Sequence, residues 1–208
     1  MDADCRQTLK PDPHGNQPGY KRILWVVLAI NAAMFLVELL MGLAAGSVSL
    51  QADALDFLGD AANYGISLAV AGSTLLHRAR AALMKGMTMG GFGLWVLARA
   101  AWHAVQGAVP EAATMGAVGF AALLANALVM ILLWAYRSGD SNMRSVWLCS
   151  RNDVIGNCAV LLAAAGVFGT GRGWPDVIVA IVMAGLAVQG AWVVVRSASR
   201  EISGGAHA

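Results

Sequence analysis

Six apolar runs alternate along the chain with short polar segments. Each run has roughly 20 residues or more, and a helix of that length, rising about 1.5 Å per residue, crosses the hydrocarbon core of a bilayer. The pattern predicts an all-α integral membrane protein with six transmembrane helices. They are expected at about residues 20–43, 50–76, 83–106, 113–136, 145–168 and 174–196.

Polar segments flank this membrane region at both ends. Residues 1–19 are rich in proline and polar side chains and predict a disordered cytoplasmic tail. Residues 20–196 would form the transmembrane domain, and residues 197–208 a short cytoplasmic tail.

Basic residues mark one side of the membrane. Since Lys and Arg accumulate in cytoplasmic segments, their placement indicates that both termini are cytoplasmic. The outer connections contain Arg172, whereas the tails and inner connections contain Arg6, Lys10, Lys21, Arg22, Arg78, Arg80, Lys85, Arg137, Arg144, Arg196 and Arg200.

Composition supports a membrane protein and excludes two other classes. Apolar residues make up 58% of the chain and charged residues 12%, against about 25% charged in an average soluble domain. The net charge is only +2 and the basic residues are spread over several connections, so nucleic acid is not an expected partner. Three cysteines form no paired framework of the secreted type.

Helix two carries an unusual polar stripe. Asp53, Asp56, Asp60, Asn63 and Ser67 follow one another at steps of three and four residues, which places them on one helical face. An ionised carboxylate in hydrocarbon costs about 2.5 kcal/mol or more, so three of them in one segment indicate a function.

Helix five repeats the pattern with Cys149, Asp153 and Asn157. Helix two enters the membrane from outside and helix five from inside, so Asp56/Asp60 and Cys149/Asp153 each lie roughly 10 to 18 Å from their helix starts. Both pairs therefore fall near mid-membrane. Facing each other, they would form a cage of three carboxylates and one thiolate.

Such a cage predicts a site for a transported metal ion. Four donors suit the tetrahedral preference of zinc, and the thiolate favours zinc and cadmium over magnesium or calcium. Without metal the acids repel one another, so some should hold protons that a divalent cation would expel. We expect no permanently bound cofactor.

Structural roles are the alternative for these residues. An intramembrane aspartate can pair with an arginine, and Arg99 and Arg151 are candidates, although Arg151 falls on the opposite side of helix five from Cys149 and Asp153. A small buried cysteine can also serve packing alone.

The sequence allows more than one role for each of three further acidic residues. Asp53 could lie on the outer access path, cap a helix or face water. Glu38 could belong to a proton path or pair with an arginine. Asp176, directly after Pro175, could favour a helix N-terminus.

A faint internal repeat relates the two halves of the chain. Asn31-Ala-Ala-Met-Phe resembles Asn126-Ala-Leu-Val-Met, and the pair Asp56/Asp60 recurs as Cys149/Asp153. Two three-helix halves have opposite orientations, which is the inverted-repeat plan of many secondary transporters. A chance match is the alternative, because the similar segments are short.

The two metal motifs resemble those of the cation diffusion facilitator family. The segments are Ala52-Asp53-Ala54-Leu55-Asp56-Phe57-Leu58-Gly59-Asp60 in helix two and Asn142 to Asp153 in helix five. The resemblance covers nearly the whole membrane region. It implies homodimeric, proton-coupled export of divalent metals from the cytoplasm, around a site at Asp56, Asp60, Cys149 and Asp153, and a location in a bacterial inner membrane.

Two departures from the family pattern bear on these expectations. The family usually has His or Asp at the position of Cys149, which makes zinc less secure as the transported ion. Most members also carry a C-terminal cytosolic domain that supports the dimer, and this sequence resembles a short member without one, so its dimer would rest on the membrane helices or the tail.

Three functions are therefore compatible with the sequence. The first is a metal/proton antiporter that exports zinc or cadmium, and the second is a membrane metal-binding or sensing subunit without transport. The third is a small-cation or drug/proton exchanger that uses the carboxylates alone. An enzyme is not expected, because the sequence shows no paired nucleophile and base within the membrane.

Overall fold

The chain folds into helices, as its sequence predicts. A computed structural model describes residues 18–69, 75–134 and 141–205, and these ranges contain six helices and no strand. The helices are α1 (Pro18–Ala45), α2 (Val48–Ala69), α3 (Leu75–Gln106), α4 (Ala112–Leu133), α5 (Ser141–Thr170) and α6 (Trp174–Gly205). The predicted all-α membrane fold is confirmed.

Five of these helices are long and apolar enough to cross a membrane: their candidate spans are Arg22–Ala45, Ala79–Gln106, Ala112–Leu133, Asn152–Thr170 and Trp174–Ser203. The remaining helix, α2, carries the polar stripe. It contacts all five other helices, so its side chains mostly face protein rather than lipid. This central position explains how α2 can hold several acids, since intramembrane ionisable groups are found facing the bundle interior.

Helix α2 also contributes to each of the three buried apolar clusters. Leu55 packs with α3 and α6, Tyr64 with α1 and α4, and Leu50 with α4 and α5. The bundle is therefore built around α2. Its outer end is defined here as the end where α2 and α6 begin, and its inner end as the end where α3 and α5 begin.

The two halves of the chain contact each other through corresponding helices. Helix α1 contacts α4, α2 contacts α5, and α3 contacts α6. The matching asparagines, Asn31 in α1 and Asn126 in α4, are both buried. These relationships agree with the inverted repeat expected from the sequence.

Close packing between α3 and α6 depends on small residues. A Cβ atom at Gly86 would lie 2.8 Å from Val195 Cγ2, and one at Gly93 would lie 2.8 Å from Val188 Cγ2. Both distances are too short for a real contact, so glycine permits the two helices to approach. Small residues have this role in many membrane helix pairs.

Some helix boundaries differ from the prediction. The basic segment beginning at His77, expected to be a loop before helix three, belongs to the first turns of α3. Residues 75–85 contain no glycine or proline and several good helix formers, so the helix continues beyond the apolar run. Helix α6 likewise runs to Gly205 rather than ending near Arg196. Of the tail predicted over residues 1–19, residues 1–17 lie outside the described residues, and residues 18–19 belong to α1.

Candidate metal centre

A cavity of about 100 Å³ lies between four helices. Three of the four predicted ligands contribute to its wall: Asp56 and Asp60 of α2 and Asp153 of α5. The lining residues come from α2 (Asp56, Gly59, Asp60, Asn63), α3 (Lys85, Gly86, Met89), α5 (Asn152, Asp153) and α6 (Leu186, Ala187, Gly190, Ala191, Val194).

Asp60 and Asp153 meet across this cavity. Their carboxyl groups are close enough to interact, which joins α2 to α5 across the cavity. Asp60 is only 8% exposed, and its Oδ2 also accepts a 3.1 Å hydrogen bond from the Tyr64 hydroxyl. Residues 93 positions apart in the sequence therefore come together as the two helical patterns predict.

Asp56 lines the same cavity one turn nearer the outer end. A Cβ atom built on Gly156 of α5 would lie 3.9 Å from Asp56 Oδ2, so this carboxylate also faces α5. Asp56 interacts electrostatically with Asp60 and with Asp53. Three of the four predicted ligands thus surround one cavity.

Cys149 remains a prediction. It lies in α5, one turn before Asp153, but its side chain is outside the described residues. Among the side chains that the structure does describe, no three from His, Cys, Asp and Glu are already arranged as a metal-binding group.

The asparagines of the two stripes have different surroundings. Asn157 is buried and donates a 2.8 Å hydrogen bond from Nδ2 to the Asp153 carbonyl in its own helix. Asn63 instead lines the cavity, and its Oδ1 accepts a hydrogen bond from Lys85 Nζ. Asn63 therefore belongs to the cavity, whereas the described bond of Asn157 is local.

Lys85 is the cavity residue that the sequence analysis missed. The sequence pattern places Lys85 in the first turn of helix three and counts it among the basic residues that mark the cytoplasmic side. The absence of glycine and proline from residues 75–85 could have placed it correctly, since a helix from Leu75 carries Lys85 about 15 Å along its axis. That depth is similar to the depth of Asp153 in α5.

Glu38 and Asp53 form a separate buried pair between α1 and α2. Glu38 is 0% exposed and Asp53 is 1% exposed. Their carboxyl groups interact with each other, and Asp53 also interacts electrostatically with Asp56. No donor among the described residues reaches either Glu38 carboxyl oxygen. Glu38 could pair with an arginine according to the sequence, but its described contact is with a second carboxyl group. Asp53 is buried and does not face water.

Asp176 caps a helix, but not its own. Its Oδ1 accepts hydrogen bonds from the Ser47 hydroxyl at 2.7 Å and from the Ser49 amide at 2.9 Å, and its Oδ2 accepts one from the Val48 amide at 2.8 Å. These amides are at the start of α2, where a helix leaves donors unsatisfied. Asp176 therefore joins the first turn of α6 to the first turn of α2.

Burial changes along α2 at the level of Asp56. Every residue from Ser47 to Leu55 is buried. From Asp56 onward, toward the inner end, partly exposed residues appear, including Leu58, Asn63 and Gly65. The outer part of α2 is therefore sealed by protein, and the acids of the cavity lie where this seal ends.

Comparison with known proteins agrees with this architecture. The family described as "Cation efflux transmembrane domain" matches residues 78–203, which is more than half of the chain. The chain belongs to the cation efflux family. The family expected from the helix-two and helix-five motifs is thereby confirmed, and so is the expectation of a multi-pass membrane protein. The cation efflux family is a family of transporters rather than enzymes, in agreement with the expectation that this chain is not an enzyme.

Two curated bacterial proteins align with this chain over a length of 198 positions, and the alignments cover 88% of the chain. The metal cation efflux system protein CzcD of Cupriavidus metallidurans is 22% identical, and the cation efflux system protein CzcD of Alcaligenes sp. is 23% identical. The matches cover 62% and 60% of these proteins, so the chain spans about three fifths of their length.

Proposed function

We propose that this cation efflux protein exports zinc, cadmium or both from the cytoplasm in exchange for protons. The ion would bind between α2 and α5 at Asp56, Asp60, Cys149 and Asp153. The observation that carries this proposal is the contact between Asp60 and Asp153 in a cavity that Asp56 also lines. Carboxylates gathered from two helices in a membrane need a cation or protons for charge balance.

Burial along α2 supports alternating access. The segment from Ser47 to Leu55 closes the outer end, whereas the cavity extends from Asp56 to Asn63 in the inner direction. An exporter in this conformation would receive its ion from the inner side. Rearrangement of the helices around the same acids would then open the outer side.

Proton coupling follows from the chemistry of the proposed ligands. Metal ligands bind in their deprotonated form, so binding of a divalent ion at facing carboxyl groups releases protons. Reprotonation after the ion leaves would reset the site. The relatives named CzcD are described as efflux proteins, which supports outward transport by this chain as well.

We further propose a homodimer, with the membrane bilayer, metal ions and protons as the other partners. The alternative function is a membrane metal-binding or sensing subunit that moves no ion. It predicts metal binding at the same acids without flux.

Reconstitution into proteoliposomes tests the function. An acidic lumen should drive uptake of zinc or cadmium, because protons leave as metal enters, and a protonophore should abolish this uptake. Asp60→Asn is expected to remove it. Glu111→Gln is a matched control, since Glu111 is an exposed carboxylate outside the cavity. Metal binding without gradient-driven uptake by the wild-type protein would favour the sensing subunit.

A further inference from the structure

Lys85 of α3 shares the cavity with the three proposed acidic ligands. Its Nζ donates a hydrogen bond to Asn63 Oδ1, and its charge interacts with Asp60. A lysine side chain normally carries an ammonium group at neutral pH. The cavity thus places a protein cation beside the carboxylates where the transported cation is proposed to bind.

The carboxylates of the cavity carry more negative charge than a divalent ion alone can neutralise. Asp56, Asp60 and Asp153 contribute three negative charges when ionised, and the proposed Cys149 thiolate would add a fourth. A divalent ion supplies two positive charges, and Lys85 supplies one more. Charges in a site with little water interact more strongly than in bulk water. The ammonium group and the metal ion are therefore both attracted to the same carboxylates, and they repel each other.

The geometry offers the ammonium group a second position. Asn63 lies one turn beyond Asp60 toward the inner end of α2, and its side-chain oxygen already accepts from Lys85. The lysine stem is long and flexible. It can keep the bond to Asn63 while its interaction with Asp60 weakens.

We propose that Lys85 is a tethered cation that competes with the transported divalent metal for Asp60. This inference rests on the proposed metal site. Lys85 keeps the affinity of the site low enough for the ion to leave, and it balances part of the negative charge in the empty site. It is therefore a residue that sets affinity and turnover rather than a metal ligand.

Equilibrium binding of cadmium to the full-length protein in detergent tests this role. Lys85→Met removes the charge and keeps the length of the side chain. It should lower the Kd for cadmium by about tenfold or more, as expected when a unit charge is removed close to a divalent ion. Uptake into proteoliposomes should become slower, because the ion leaves more slowly.

Two further variants separate charge from shape. Lys85→Arg keeps the charge and should retain a Kd within about threefold of the wild-type value. Arg172→Gln removes a positive charge from an outer connection and should leave the Kd unchanged. Lys85→Gln repeats the neutralisation in a second form if Lys85→Met does not fold.

The outcomes distinguish this inference from the proposed function. Structural damage would weaken binding, so a lower Kd in the neutral variants identifies a competing charge. An unchanged or higher Kd in the folded neutral variants would overturn the role of Lys85 while leaving the metal site intact. If the wild-type protein binds no divalent metal, the proposed function itself fails.

Discussion

The Asp176 carboxylate of α6 accepts a 2.7 Å hydrogen bond from the Ser47 hydroxyl, directly before α2. It also accepts from the amides of Val48 and Ser49, so one buried side chain satisfies three donors. Helix α2 carries the acids of the candidate metal centre. Asp176 therefore fixes the outer end of the helix on which the site is built.

Removal of this cap should destabilise the protein. Asp176→Ala leaves buried donors without an acceptor, at an expected cost of about 1–3 kcal/mol in the free energy of unfolding. An unfolding titration in mixed micelles, followed by helical circular dichroism, measures the change. Glu111→Ala is the matched control, because Glu111 is exposed. Equal stability of Asp176→Ala and the control would show that the cap contributes nothing.

The Glu38–Asp53 pair gives a second stability prediction. No described donor reaches the Glu38 carboxyl oxygens, so the two buried carboxyl groups can be joined by a hydrogen bond only through a proton on one of them. Glutamine can supply an N–H donor in place of that proton. Glu38→Gln should therefore keep the wild-type free energy of unfolding. Glu38→Leu leaves Asp53 buried without this partner and should cost about 1–3 kcal/mol.

The same unfolding titration compares these two variants. The difference between glutamine and leucine isolates the hydrogen bond, since both replacements remove the acidic group. If Glu38→Gln is destabilised as much as Glu38→Leu, the pair is not held by a proton shared between its members.

Cys149 should determine which metal is preferred. Cys149→His replaces a soft sulfur donor by a nitrogen donor, so the ratio of cadmium to zinc uptake should fall by about tenfold. Competition between the two metals in proteoliposomes measures the ratio. Cys158→Ser is a suitable control, because Cys158 lies in the same helix and is exposed. A ratio unchanged by Cys149→His would exclude Cys149 as a direct ligand.

The periodicity of the sequence predicted most of the helices and the positions of the aspartates that line the cavity. Steps of three and four residues placed Asp56 and Asp60 on one face of α2, and the helix count brought Asp153 to the same depth in α5. Local spacing could not show that Lys85 enters the cavity, because this depends on where α3 begins. Nor could it show that Asp176 caps α2, since that contact joins residues 129 positions apart.

Hydropathy alone does not identify α2 as a membrane-spanning helix. A helix that faces lipid must be apolar, but α2 contacts five other helices and needs little apolar surface. Its polar stripe is therefore explained by its central position. Small residues on the outer face of a helix bundle likewise need not be buried, and Cys158 of α5 is exposed.

Cadmium binding and uptake by the Asp153→Asn variant test the central claim most directly. The wild-type protein should bind one ion per chain and transport it into proteoliposomes with an acidic lumen. Loss of the α5 carboxylate should raise the Kd for cadmium by about a hundredfold or more and should abolish uptake. Even mutation of residues that only hydrogen-bond to metal ligands lowers metal affinity by about ten- to a hundredfold. Wild-type binding and uptake in Asp153→Asn would contradict a metal site between α2 and α5.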